Sequence, residues 1–201
     1  MILHSLFPTP VGKFQLGRDF TPDQIEFYKS QTLSKNIGNK SSENRYVLNH
    51  ETMSTLKEYV QSCVDNYFSS IYSPKNEVKL RITQSWFNYS KPGEWHHRHA
   101  HPNSFVSGVL YMKALRESDK IYFYKDDYQP ISLPTENFNL YNSPSWWLSV
   151  ETGDLMIFPS SFSHSVEPVQ GDDERISLAF NTFPVGYVGQ EDMLTALYLR
   201  D

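Results

Sequence analysis

Cysteine is almost missing from this chain. Cys63 stands alone among 201 residues, so no disulfide can close within it, which fits a reducing compartment. Positive charge is not in excess either. Eighteen Lys and Arg stand against 23 Asp and Glu, a formal charge of −5. With no dense basic run, non-specific binding to nucleic acid or to a membrane surface is disfavoured. No apolar run approaches the length that spans a bilayer. The first eight residues, MILHSLFP, lack the charged start and long apolar stretch of a signal peptide. The expectation is a cytoplasmic protein. Internal repeats and low-complexity stretches are missing too. What the chain does have is aromatic and apolar side chains, 15% and 39% of the residues, enough for a packed core. The abundance of Tyr and Phe over Gly leans towards β structure.

Residues 5–16 alternate loosely and carry prolines, which suits an edge strand and leaves room for a homodimer. Thr21-Pro22-Asp23-Gln24 is a helix start: threonine caps, proline takes the first helical position and glutamine lies three on. That helix is expected to reach about Ser34, followed by a polar loop over 35–45. A second helix is expected over 51–71, where Met53, Leu56, Val60, Cys63, Val64, Tyr67, Phe68 and Ile71 recur at three and four residues. Cys63 on that stripe is a core thiol.

From Val78 the period becomes two. Val78, Leu80, Ile82, Gln84, Trp86 and Asn88 are expected on one strand face. Further strands are expected near 103–113, 120–125, 145–150, 154–159, 163–169 and 174–183, with a short helix over 190–199. The connection 126–145 holds three prolines and has the length of a lid or binding element. Two helices followed by many short strands predict one mainly β domain. Residues 1–75 form a helical lead-in with an edge strand, and 76–190 form a β-sandwich or jelly-roll core.

Chemistry concentrates at 94–112. Four of the seven histidines lie between His96 and His101. In an extended strand His97, His99 and His101 share one face while His96 looks away, and neutral imidazoles on one face suit a metal. Downstream, Gly153-Asp154 and Pro159 bracket a buried strand, and His164 follows. A turn near Gly171-Asp172 would then return residues 174–181 as the hairpin partner of 163–169. Arg175 would lie on the order of 13 Å from His164 at ~3.3 Å per residue. That gap suits a small dicarboxylate held by a metal at one end and the Arg175 fork at the other, with the Ser177 hydroxyl beside it.

These residues resemble a known family. His99-Ala-His101-Pro-Asn-Ser, Ser107-Gly-Val-Leu-Tyr111, Gly153-Asp154-Leu-Met-Ile-Phe-Pro159, His164 and Arg175-Ile-Ser177 look like the Fe(II)/2-oxoglutarate-dependent oxygenases. The likeness is to a subgroup of small phage and bacterial members and covers roughly residues 84–184. It implies a double-stranded β-helix (jelly-roll, cupin-like) fold with bound Fe(II). It also implies 2-oxoglutarate as cosubstrate, decarboxylated to succinate while molecular oxygen hydroxylates a small-molecule or peptide substrate. By the same resemblance, His99 and His164 are metal ligands, Arg175 and Ser177 bind the 2-oxoglutarate carboxylate, and Tyr111 helps. Asp154 belongs to a structural turn.

The pattern is broken at one place. The family carries a carboxylate two residues after its first histidine. This chain has His101 there, and neither His-x-Asp nor His-x-Glu occurs in it. A three-histidine site of His99, His101 and His164 is the expectation, with completion by Glu94 as the alternative. Two other classes stay open: a cupin-like metal enzyme that is not an oxygenase, and a jelly-roll binding module with incidental histidines.

Overall fold

The computed structural model describes residues 1–126, 131 and 133–200. The chain enters with β1 (Gly12–Gln15), α1 (Pro22–Lys29), β2 (Leu33–Lys35) and β3 (Lys40–Ser42). Two 3-10 turns, Val47–Asn49 and Glu51–Met53, lead into α2 (Ser54–Tyr72). The strands β4 (Val78–Ser90), β5 (His96–His99), β6 (Val106–Lys113), β7 (Lys120–Tyr124) and β8 (Ser145–Ser149) follow. The last four are β9 (Asp154–Pro159), β10 (His164–Val166), β11 (Arg175–Val188) and β12 (Leu197–Leu199). Among the described residues they form two antiparallel sheets. The larger has the order β1-β9-β6-β11-β4-β3-β2, with β12 on β11, and the smaller has the order β5-β10-β7-β8. The fold is mainly β, a jelly roll carrying N-terminal helices.

Strand alternation divides the core in two. From the large sheet, Phe87, Leu110, Leu155, Ile157, Leu178 and Phe180 pack towards α1 and α2. The intervening residues Tyr111, Met156 and Phe158 point the other way and pack on Ile121 and Phe123 of the small sheet. That inter-sheet space holds the site.

Several expectations change. The α1 cap is the anticipated box, with Thr21 Oγ1 accepting from the Gln24 amide and the Gln24 side chain accepting from the Thr21 amide. The helix ends at Lys29, though, and the polar stretch expected as a loop holds the β2–β3 hairpin. Its serines fill sheet positions: Ser42 Oγ accepts from the Phe87 amide. The tail 190–199 holds a turn and β12 in place of a helix. In β4 the single face breaks, because Asn181 pairs with Gln84 and Thr182 with Ile82, leaving Thr83 unpaired as a bulge. A bulge inserts one residue and reverses every later side chain. Leu80 therefore faces the helices while Trp86 and Asn88 face the site. Finally, β10 and β11 are not hairpin partners. β10 pairs with β5 and β7, and β11 pairs with β4, β6 and β12, so the separation inferred from a hairpin falls with it. Of the 126–145 connection, where a lid or binding element was expected, 127–130 and 132 lie outside the described residues.

Candidate active site

β5 and β10 pair directly at His99 and His164. His101 lies just past β5, where its amide donates to the Ser160 carbonyl at the end of β9 (2.8 Å). The His-Pro-Asn-Ser motif makes the turn. Asn103 takes a left-handed φ of 56°, which asparagine tolerates better than most residues. Ser104 Oγ accepts from the Thr182 amide and is joined through Ser160 to Ser107 and Asn181. This buried hydroxyl network was not visible in the sequence, because lone serines in strands carry no pattern.

One ligand nitrogen from each of His99, His101 and His164 lies within 4.8 Å of the other two. Ring centroids are 4.4 Å apart for His99–His164, 4.9 Å for His99–His101 and 5.2 Å for His101–His164. His99 Nδ1–H donates to the His97 carbonyl (2.8 Å) and His164 Nδ1–H to the Phe162 carbonyl (3.0 Å). A carbonyl only accepts, so both rings must carry hydrogen on Nδ1 and present a free lone pair at Nε2, which is how a histidine is oriented towards a metal. His164 is 3% exposed and packs on Phe158 at 4.6 Å. Burial first, and the neighbouring rings second, press its pKa well below the ordinary value. Burial likewise lowers His99, and with His99 beside it brings His101 down to about 4. The rings are therefore neutral at pH 7, the form that binds metal.

A second group, His96, His97 and His99, also gathers within 4.8 Å. This departs from the expected alternation. His99 pairs with His164 while His96 pairs with Val166, three residues against two, and the bulge swings His96 onto His99 in a stack at 4.7 Å. Among the described residues neither group contains a carboxylate. Glu94 is engaged elsewhere, accepting from the Lys91 amide at 2.9 Å.

Across the same space, Asn88, Ser177 and Tyr111 stand in register on β4, β11 and β6, so all three point to one face. Tyr111 is 1% exposed, and its Oη has no partner, nor has Asn88 Oδ1. Burial holds the Tyr111 phenol far above its ordinary pKa, so it stays a hydroxyl. Unsatisfied buried polar atoms are rare and call for a ligand or water; a carboxylate fits the hydroxyl donor. Arg175, two residues before Ser177, is 6% exposed. It does not face Asp172, Asp173 or Glu174, as a surface arginine would. Its Nη1 donates to Asp119 Oδ1 (2.8 Å) and its Nη2 to the Glu167 carbonyl (3.1 Å). Asp119 carried no signal in the sequence, lying in the charged connection Arg116-Glu-Ser-Asp119. Beyond His164, Phe123 stacks on Phe162 at 5.0 Å. Both line a groove of about 840 Å³ together with residues 4–9 and Tyr141 and Trp146. Among the described residues no helix is long and apolar enough to cross a membrane.

No curated protein matches the sequence. Three solved structures share the fold. HygX from Streptomyces hygroscopicus, with nickel and 2-oxoglutarate bound, is 10% identical over 96% of this chain and 92% of its own, with a TM-score of 0.62. A Pseudomonas putida prolyl-4-hydroxylase is 14% identical over 87% and 92%, with a TM-score of 0.55. An oxidoreductase of the 2OG-Fe(II) oxygenase family from Burkholderia pseudomallei is 12% identical over 79% and 74%, also with a TM-score of 0.55. At such identities the likeness is one of fold. Residues 84–181 match the family model described as "Putative 2OG-Fe(II) oxygenase". That segment, just under half of the chain, carries the candidate histidines, Tyr111, Asp119, Arg175 and Ser177, and over it the chain is similar to the 2OG-Fe(II) oxygenase family.

Proposed function

We propose that this chain is an Fe(II)- and 2-oxoglutarate-dependent dioxygenase that hydroxylates a small-molecule or peptide substrate. His99, His101 and His164 hold the metal, and Arg175, Ser177 and Tyr111 hold the far carboxylate of 2-oxoglutarate. The observation that carries this reading is one inter-sheet space lined by three neutral imidazoles on one side and, on the other, a buried guanidinium and an unpartnered hydroxyl. HygX, of similar fold, is described with nickel and 2-oxoglutarate together, which supports the pairing.

When bound, Fe(II) supplies oxygen activation and a common template for the reactants. The protein's part is positioning. Backbone carbonyls of His97 and Phe162 fix the Nε2 lone pairs of His99 and His164. Arg175 and Tyr111 orient the far carboxylate by hydrogen bonds that carry charge. Phe123, Phe158 and Trp86 keep the space apolar around the rings. The groove beyond Phe123 and Phe162 offers the substrate a place one ring away from His164. The overall reaction is 2-oxoglutarate + O2 + R–H → succinate + CO2 + R–OH, in which two electrons leave the keto acid and two leave the C–H bond.

Succinate release tests the reading. It is expected with Fe(II), 2-oxoglutarate and oxygen, and it should vanish in His164→Ala. Anaerobic titration with Fe(II) and 2-oxoglutarate should also raise a visible charge-transfer band. No succinate and no band would overturn it. A second reading, a metal enzyme that uses no 2-oxoglutarate, draws on the ligand set, since three histidines suit zinc or nickel equally. Metal content without 2-oxoglutarate binding would favour that one.

A further inference from the structure

We propose that Asp119 is a positioning residue of the cosubstrate slot: it aims Arg175 and cancels its charge, so that the protein's own charge at the site is zero and a divalent metal is matched by a dianion. This rests on the function proposed above. Arg175 and Asp119 are both about 6% exposed and meet at 2.8 Å, and a buried ion without its partner is strongly disfavoured. Asp119 cannot follow a moving arginine. Its Oδ2 accepts from the Leu115 amide (2.8 Å), its own amide donates to the Leu115 carbonyl (2.7 Å), and its carbonyl accepts from the Val150 amide (3.1 Å). The guanidinium is fixed from a second side by the Glu167 carbonyl. It keeps further N–H groups for a ligand, since Arg carries more donors than these two bonds use.

The charges around the slot can be counted. A histidine ligates a metal only as the neutral imidazole, so His99, His101 and His164 bring no charge, and the buried Tyr111 hydroxyl brings none either. Arg175 and Asp119 sum to zero. A divalent cation therefore brings the site to +2, and 2-oxoglutarate, a dianion, returns it to zero. With three neutral ligands the negative charge of this centre is the Asp119 carboxylate, placed against Arg175 and not beside the metal. Moving that charge from Asp119 to the metal should preserve the balance, whereas adding it without removing Asp119 should break it.

The test is a double-mutant cycle of His101→Asp and Asp119→Asn, read by calorimetric titration of the Ni(II)-loaded proteins with 2-oxoglutarate. His101→Asp alone is expected to weaken 2-oxoglutarate binding by tenfold or more. Asp119→Asn added to it should recover at least most of that loss. Removing a residue that merely braces the fold cannot rescue a change made at the metal. Additive effects in proteins of wild-type-like circular dichroism would overturn the proposal alone. Wild-type protein that takes up Ni(II) but no 2-oxoglutarate would overturn the function as well. Asp119→Ser, which leaves room for a water beside Leu115, serves where Asp119→Asn does not fold. If neither folds, Asp119 is a structural partner only and the proposal is overturned.

Discussion

Tyr111 offers the sharpest test at the level of a single residue. Its hydroxyl is buried without a partner, and such a group costs about 1–3 kcal/mol. Tyr111→Phe should therefore stabilise the ligand-free protein by roughly 1 kcal/mol, seen as a higher melting temperature, while weakening 2-oxoglutarate by roughly tenfold, the worth of one hydrogen bond to a charged group. A variant that melts lower and binds unchanged would show that the hydroxyl serves the fold. The histidines separate in a similar way. His164 is 3% exposed and wedged on Phe158, so His164→Ala should cost about 2–4 kcal/mol in cavity and packing and lose the metal. His101 is half-buried beside Trp86, so His101→Ala should weaken metal binding with a much smaller change in melting. Calorimetry and thermal melts of the metal-free proteins check both. His99, His101, His164, Arg175 and Ser177 could be nominated as candidates from the sequence, because their types and spacing suit a chemistry, whereas Tyr111 entered only through the family resemblance. Asp119 could not, because a carboxylate in a charged connection looks like any solvated one until its burial is known.

Elements explain where strand periodicity misleads. A period of two locates β4, β6, β7, β8, β9 and β11, yet each bulge adds one residue and leaves the composition unchanged. Thr83 turns Trp86 and Asn88 into the site, and the extra residue in β5 brings His96 to His99. Neither could be read from alternation. Strand partners were equally hidden. The turn at 171–173 resembles a hairpin, but β11 is claimed by β4 and β6, whose longer apolar ladders bury more surface than three residues of β10 could. Gly108, in the middle of β6, has a discernible reason. A Cβ there would strike the buried Phe180 ring and approach the Met156 carbonyl to 2.9 Å. Gly108→Ala should destabilise by about 1–3 kcal/mol through overpacking, measured by urea unfolding. A neutral outcome would mean that β6 and β9 separate more easily than their register suggests.

For the whole molecule, the two core clusters set different vulnerabilities. The cluster against α1 and α2 contains no histidine, whereas the inter-sheet space combines Phe123, Phe158 and Met156 with imidazole rings that titrate in mild acid. Those rings make the metal-free protein acid-sensitive. Burial lowers His101 from 6.5 to about 4 and His96 to about 3, and lowers His99 and His164 as well. In the unfolded chain each regains its ordinary value. Between pH 6.5 and about 4 the unfolded state therefore binds more protons than the native state, so stability must fall as the pH falls. Above pH 6.5 both states are neutral there and the rings contribute no slope. Divalent metal adds to this, because it binds only the neutral native rings. At a hundredfold excess over its dissociation constant it should raise stability by about 2.7 kcal/mol, and that increment should shrink in acid as protons compete. Thermal melts from pH 8 to 4.5, with and without Ni(II), test both halves. Melting temperatures that are flat in acid without metal, or a metal increment that persists at pH 4.5, would mean that the histidines are not the buried neutral cluster the fold makes of them.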